Sequence, residues 1–316
     1  TSAASHGMRF QPLPGETLTL QLSEPAAVPG SSIAFDGVRV STVVGERARE
    51  TTLALTARST RGGEHAITLP AGTELLQARR DGAALNLSVR EGRLALPLLP
   101  GEHRYELMLR EPVGVAARTR NAAFDLRAPV ANIALDLQLP RDRWVLWTWG
   151  PSMGPAVLYW SQLVVLLLAA RLLARYAPTP LRFHHWLLLG LGFSAFAWSA
   201  YALVVAWLIA MGLRARVRPP AGQIGFNMLQ VALAVLTALA LLALVGAVPR
   251  GLLGLPDMHV AGNGSSAWNL RWFADQSTGP LPRAGVLSVS LWVCKLAMLA
   301  WALWLANALL GWLRWA

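Results

Sequence analysis

The chain has 316 residues, 54% apolar and 14% charged, with a mean hydropathy of +0.41 and a formal net charge of +11. So small a charged share excludes a disordered tail and an ordinary soluble enzyme, and the single cysteine, Cys294, excludes a disulfide scaffold. The charge is also unevenly placed. Residues 1–150 hold 17 Arg against 15 Asp or Glu, whereas residues 151–316 hold ten Arg and Lys295 against only Asp257 and Asp275. The basic excess therefore belongs to the apolar half, at the ends of apolar runs. Nucleic-acid binders carry theirs on a solvated patch, so nucleic acid is not an expected partner.

Taken in order, residues 1–8 show no apolar core of a signal peptide. Residues 1–8 read as a tag scar or a disordered start; a scar at Ser5-His6-Gly7-Met8 would make the chain a piece of something longer. From residue 9 to 143 apolar and polar residues alternate with period two: Leu18, Leu20 and Leu22; Leu53, Leu55 and Ala57; Leu85, Leu87 and Val89; Tyr105, Leu107 and Leu109; Ile133, Leu135, Leu137 and Leu139. Such alternation suits strands with one buried face. Turn pairs recur between the runs, among them Asp81-Gly82 and Glu91-Gly92, and Asp-Gly takes the two positive φ angles of a type I′ hairpin. The expected fold class is thus an all-β exported domain, sandwich or barrel-like, followed by an α-helical transmembrane bundle. About 140 residues accommodate roughly nine to eleven such strands.

From residue 144 onward the pattern changes to apolar runs at about 155–175, 186–213, 226–248 and 286–316. Spanning the hydrocarbon core takes about 20 mainly apolar residues. The 226–248 run is expected to be stopped by Pro249, with residues 249–285 forming an outer loop. The 186–213 run fits either one tilted helix or a hairpin turning near Ser194–Ser199, where Gly190 and Gly192 tolerate a bend. Arginine-rich short loops favour the cytoplasm. A hairpin puts Arg171, Arg175, Arg182, Arg214, Arg216, Arg218 and Arg314 on one face, so the hairpin is the preferred reading. It makes the β half periplasmic and the carboxyl end cytoplasmic in a bacterial inner membrane, with an export signal in preceding or cleaved sequence. All 14 Trp fall between Trp144 and Trp315; Trp144, Trp147, Trp149, Trp186, Trp312 and Trp315 sit at run ends, as an interfacial belt would.

Four features could carry chemistry. Gly150-Pro151-Ser152-Met153-Gly154 matches the G-x-S-x-G nucleophile elbow between a strand and a helix. The helix that follows is a membrane run and no α/β alternation surrounds it, so a backbone turn is the preferred reading of Ser152. Lys295 lies about ten residues into the last run, where an ammonium costs a few kcal/mol. It is either an intramembrane functional charge, with Asp257 or Asp275 as partner, or a side chain that snorkels to the interface. Asp257, His259 and Asp275 could supply three metal ligands, but their spacing matches no metal motif, and a turn-rich cap is preferred. His184-His185 reads as interfacial. Small residues one turn apart, Ala234 with Ala238 and Ala302 with Ala306, permit close helix approach within the bundle or between copies. No cofactor is expected.

A β half followed by four apolar runs resembles the pentameric ligand-gated channels in outline only. The β half is short, the loop disulfide is absent and no run has a polar-lined face, so no residue is carried across. The functional expectation is a non-enzymatic inner-membrane protein whose β domain binds or positions an envelope partner, with the bilayer itself and other membrane proteins as contacts. The alternatives are a channel or transporter with a path near Lys295, and a membrane-embedded serine hydrolase using Ser152.

Overall fold

The computed structural model describes residues 15, 32–194, 198–214, 223–256 and 258–315. Leu18, Leu20 and Leu22, residues 1–8, Arg216, Arg218 and Asp257 lie outside the described residues. In chain order the elements are β1 (Ile33–Val44), β2 (Arg49–Ser59), β3 (Gly63–Thr68), β4 (Glu74–Arg80), β5 (Ala83–Ala84), β6 (Val89–Arg90), β7 (Arg93–Leu98), β8 (Gly101–Glu111), β9 (Arg118–Arg120), β10 (Val130–Gln138), β11 (Arg143–Trp149) and β12 (Ala156–Val157). Four helices follow: α1 (Tyr159–Tyr176), α2 (Phe183–Ser194), α3 (Trp198–Arg214) and α4 (Gln223–Leu253). The chain then returns to strands β13 (Val260–Ala261), β14 (Asn269–Ser277) and β15 (Gly285–Ser290) before ending in α5 (Leu291–Trp315).

A seven-stranded sheet in the order β14-β10-β1-β2-β8-β4-β5 is the centre of the sheet-rich region. The period-two alternation explains it. Each strand turns its apolar phase to one face, and the register lines those residues up in rows across the sheet. One row runs Trp272, Leu135, Val40, Leu53, Leu107 and Ala78; the next runs Leu270, Leu137, Thr42, Thr51 and Leu109. Thr42 and Thr51 are buried and satisfy each other, Oγ1 to Oγ1 at 3.2 Å. Two three-stranded sheets, β3-β7-β6 and β11-β15-β9, share the resulting core through Ile67, Leu94, Leu96, Val145 and Val286. The Tyr105 hydroxyl, from the buried face of β8, donates to the Pro97 carbonyl of β7 at 2.8 Å.

The hairpin chemistry read from the sequence is realised. Asp81 and Gly82 have φ of 50° and 84°, and Glu91 and Gly92 have 51° and 71°, the paired positive values of a type I′ turn. The expected strand through Leu85, Leu87 and Val89 is reduced to β5 and β6, with residues 85–88 outside any strand; Leu85 and Leu87 still pack on the core.

Residues 249–285 are not a loop. Pro249 does not end α4, which continues to Leu253. A proline inside a helix removes one hydrogen bond, and the helix tolerates that loss near its end. Beyond it, β14 becomes an edge strand of the large sheet beside β10, and β15 sits between β11 and β9. The β unit is therefore assembled from both sides of the first four helices. The last apolar run is likewise divided: residues 285–290 are strand and only Leu291 onward is helix.

Among the described residues two helices are long and apolar enough to cross a membrane, within Ile224–Leu253 and Leu291–Arg314. α1 has 18 residues but carries Arg171 and Arg175. The run 186–213 falls on two helices, α2 and α3. Gly190 and Gly192 lie inside α2 and not in a bend. A Cβ at Gly190 would come within 2.1 Å of Leu166 Cδ1, and one at Gly192 within 1.9 Å of Trp301 Cε2, so these glycines let α1 and α5 pack tightly. Contacts fix the helix directions. Ser194, at the end of α2, has its Oγ 3.3 Å from the hydroxyl of Tyr159, at the start of α1. Gly212, near the end of α3, abuts the Pro178 carbonyl just after α1. The His185 and Trp312 rings meet at 6.5 Å. Helices α1, α3 and α5 thus lead away from the β unit, while α2 and α4 return to it. Arg175, Arg182, Arg214 and Arg314 lie at helix ends remote from the sheets.

Candidate functional site at the junction of sheets and helices

Ser152, His259 and Lys295 fall on or near the junction where β12 leads into α1 and β15 into α5. The G-x-S-x-G segment has a packing explanation. Trp272, 1% exposed, occupies the core row of β14. Its indole lies against the backbone of the segment: a Cβ at Gly150 would be 2.6 Å, and at Gly154 2.4 Å, from Trp272 Cδ1. The Met153 carbonyl accepts from the Phe273 amide at 2.8 Å, adding a bridge to the outer edge of β14. Ser152 itself is exposed between these two points of attachment. The glycine spacing of an elbow arises here because two glycines clear the same tryptophan.

Lys295 is in the second turn of α5, not deep in an uninterrupted span, because β15 takes up the first residues of the run. Its Nζ lies 5.3 Å from the centre of the Trp292 ring, a cation–π distance, and Trp292 is 70% exposed. Asp275 is exposed on β14. His259 has φ of 51°, and its carbonyl accepts from the Leu158 amide at 3.2 Å, pinning β13 to the entrance of α1. Among the described residues no three His, Cys, Asp or Glu side chains converge.

The tryptophans divide into two kinds. Trp147, Trp160 and Trp292 are exposed around the junction, and Trp160 Nε1 donates to the Leu146 carbonyl at 2.8 Å. Trp186 and Trp312, read from the sequence as belt residues, are instead buried in the helical core. Position at a run end predicts the headgroup level only if no helix packs over the ring, and here α2 and α5 cover each other. Ala234 and Ala238 are both exposed on α4, so they mark no close approach within this chain.

Two hollows were not foreseen. One, of about 280 Å³, lies between the start of α1, the end of α2 and the first half of α5, walled by Tyr159, Leu191, Cys294, Met298 and Trp301 and closed from the β unit by Trp144 and Met258. The other, about 380 Å³, is on the outer face of the large sheet. Gly37, Ala54, Thr56 and Ala134 form its floor, and Arg39 and Arg104 flank it. Neither guanidinium has a hydrogen-bonding or ionic partner among the described residues, although the Arg104 amide donates to Asp81 Oδ1 at 2.9 Å. Small residues at alternate positions of adjacent strands were the available sequence signal, but without the register they could not be aligned.

No family model matches the chain, and no curated protein matches it. Solved structures share part of its shape. The M1 zinc metallopeptidase from Deinococcus radiodurans is 11% identical, over 39% of this chain and 35% of that one, at a TM-score of 0.30. The aminopeptidase A of Legionella pneumophila, solved with aspartic acid, is 8% identical over 40% of this chain and 18% of that one, at 0.31. The chain thus spans well under two thirds of either, and a likeness of this size carries no argument about its chemistry.

Proposed function

We propose that this chain is a non-enzymatic integral protein of a bacterial inner membrane that holds a β unit at the periplasmic surface to bind or position an envelope partner. The observation that carries the membrane part is the outward face of the helices. On α4, Ile224, Met228, Val231, Val235, Leu239, Leu242 and Val245 are exposed; on α5, Val293, Leu296, Leu299, Leu303 and Leu310 are exposed. Contiguous apolar surface on this scale needs lipid or protein against it. Orientation rests on the arginines at the helix ends remote from the sheets, since short basic loops stay cytoplasmic. Lys295, one turn into α5 and over Trp292, fits an interfacial anchor better than a transport path. For the partner, the hollow between Arg39 and Arg104 suits an acidic segment.

Membrane extraction and accessibility test this reading. In a Cys294→Ser background, single cysteines at Glu91, in the β6–β7 turn, and at Arg175, at the end of α1, are treated with a membrane-impermeant maleimide in intact spheroplasts. The expected result is labelling of the first site only, with the chain resisting alkaline carbonate. Labelling of Arg175→Cys alone reverses the orientation, and release by carbonate removes the membrane reading. Arg39→Glu with Arg104→Glu is expected to abolish partner crosslinking from that face without changing membrane retention.

A further inference from the structure

We infer that the hollow between α1, α2 and α5 is a binding site for one acyl chain of a glycerophospholipid; this rests on the membrane reading above and goes beyond anchoring. Its wall is almost wholly apolar, and two of its members, Met258 and Met298, are unbranched thioethers that adapt to a flexible chain. At about 280 Å³ it is slightly below the roughly 300–1,000 Å³ of drug-sized sites, so it takes a segment of one acyl chain and not a whole lipid. The site is built, not left over from loose packing. Gly192 brings Trp301 against α2, and Trp301 Nε1 donates to the Leu188 carbonyl at 2.7 Å, fixing the far wall.

One polar feature selects an amphiphile over a plain hydrocarbon. Lys295 follows Cys294 on the same turn of α5, offering a cation to a lipid phosphate. Val293 and Leu296, next in sequence to the lining residues Cys294 and Ala297, are exposed on α5.

The test uses the full chain in vesicles of phosphatidylethanolamine and phosphatidylglycerol containing a tracer phosphatidylglycerol with a diazirine on one acyl chain. After irradiation, adducts are mapped by peptide mass spectrometry. The expected pattern is at least threefold enrichment of adducts on Met258, Leu191 and Cys294–Met298 over the exposed face Val231–Val245 of α4, and loss of that enrichment in Ala297→Phe, which fills the hollow. Even labelling of both regions, or enrichment that survives Ala297→Phe in a variant with an unchanged melting transition, overturns the site while leaving the membrane reading intact. Absence of adducts on α4 as well overturns the membrane reading instead. If Ala297→Phe does not fold, the enrichment ratio of the unaltered protein decides alone.

Discussion

Replacing Gly154 with Ala separates a packing role for the G-x-S-x-G segment from a catalytic one. The added Cβ would lie 2.4 Å from Trp272 Cδ1 and 2.6 Å from Nε1, whereas non-bonded carbons rest at about 3.5–4.0 Å. An overlap of more than 1 Å must be relieved by moving either the turn or the indole. The indole is held in the core row beside Leu135 and Val40, and the turn is held by the Met153–Phe273 bridge, so neither gives easily. Overpacking of this kind costs about 1–3 kcal/mol. Shortening the list of unfolded conformations returns about 0.4–1 kcal/mol, so a net loss of roughly 1–2 kcal/mol is expected. For a unit of this size each kcal/mol moves Tm by about 2–4 °C. Melting in detergent micelles, followed by tryptophan fluorescence, should therefore show Gly154→Ala several degrees below the parent. Ser152→Ala, at an exposed position, should stay within about 0.5 kcal/mol of it, and Gly154→Ala combined with Trp272→Leu should lose less than the two single changes summed. An unchanged Tm in Gly154→Ala together with labelling of Ser152 by a fluorophosphonate would refute the packing account and revive the hydrolase.

Three further outcomes follow from the geometry. Glu111 is 2% exposed and paired with Arg49, Nε to Oε1 at 3.0 Å, while Arg49 Nη1 also donates to the Arg120 carbonyl at 2.7 Å. Arg49→Leu strands a buried carboxylate and should cost about 3–5 kcal/mol, most of which Glu111→Leu in the same chain should restore; denaturation midpoints of the single and double variants measure this. Asp81 is held below the ordinary carboxylate range, first by the Arg104 amide and then by His103. A depressed carboxylate contributes stability above its unfolded value of 3.8, and that contribution is lost as pH falls through the lower folded value. Exchange of the Arg104 amide should therefore accelerate, relative to Asp81→Asn, only on acidification below about pH 4. Gly192→Ala should push Trp301 off α2 and break its bond to Leu188, visible as greater exchange across Leu188–Gly192 with the β unit unaffected.

Much of the β unit is legible because its strands carry their own period. Tyr105, Leu107 and Leu109 alternate with polar residues and turn to one buried face, and Asp81-Gly82 contains the turn it forms. The strand β14 has the same signature in Leu270, Trp272 and Ala274, yet it is only nine residues long and set among Gly, Pro and Asn after a membrane-like helix. Its partner, β10, is remote in sequence, and local pattern does not reveal such pairing. Helix packing is harder to read for the same reason. An apolar residue in this half can face lipid or a neighbouring helix with equal comfort, so Trp186 and Trp312 resemble Trp160 in sequence and differ only once helices cover them. The hollow lined by Cys294 and Met298 depends on three helices meeting, which no single stretch encodes.

The return of the chain to the sheets after α4 ties the two regions together. Strand β14 covers the edge of β10, and Trp272 closes both the core row and the G-x-S-x-G turn. Strand β15 lies between β11 and β9, with Asn121 Oδ1 accepting from the Ala284 amide at 2.7 Å. A fragment ending at residue 157 lacks both strands. It leaves β10 with an unpaired edge next to the parallel β1–β10 pair and uncovers Leu135 and Leu137, and such an edge recruits other chains. The fragment should therefore be insoluble or oligomeric by size-exclusion chromatography. Adding residues 258–290 through a short linker in place of the first four helices should restore a monomer with a cooperative transition. A soluble, cooperatively melting fragment without the added strands would show that the β unit closes on its own, and that the helices are an appendage and not an insertion into the sheet-forming chain.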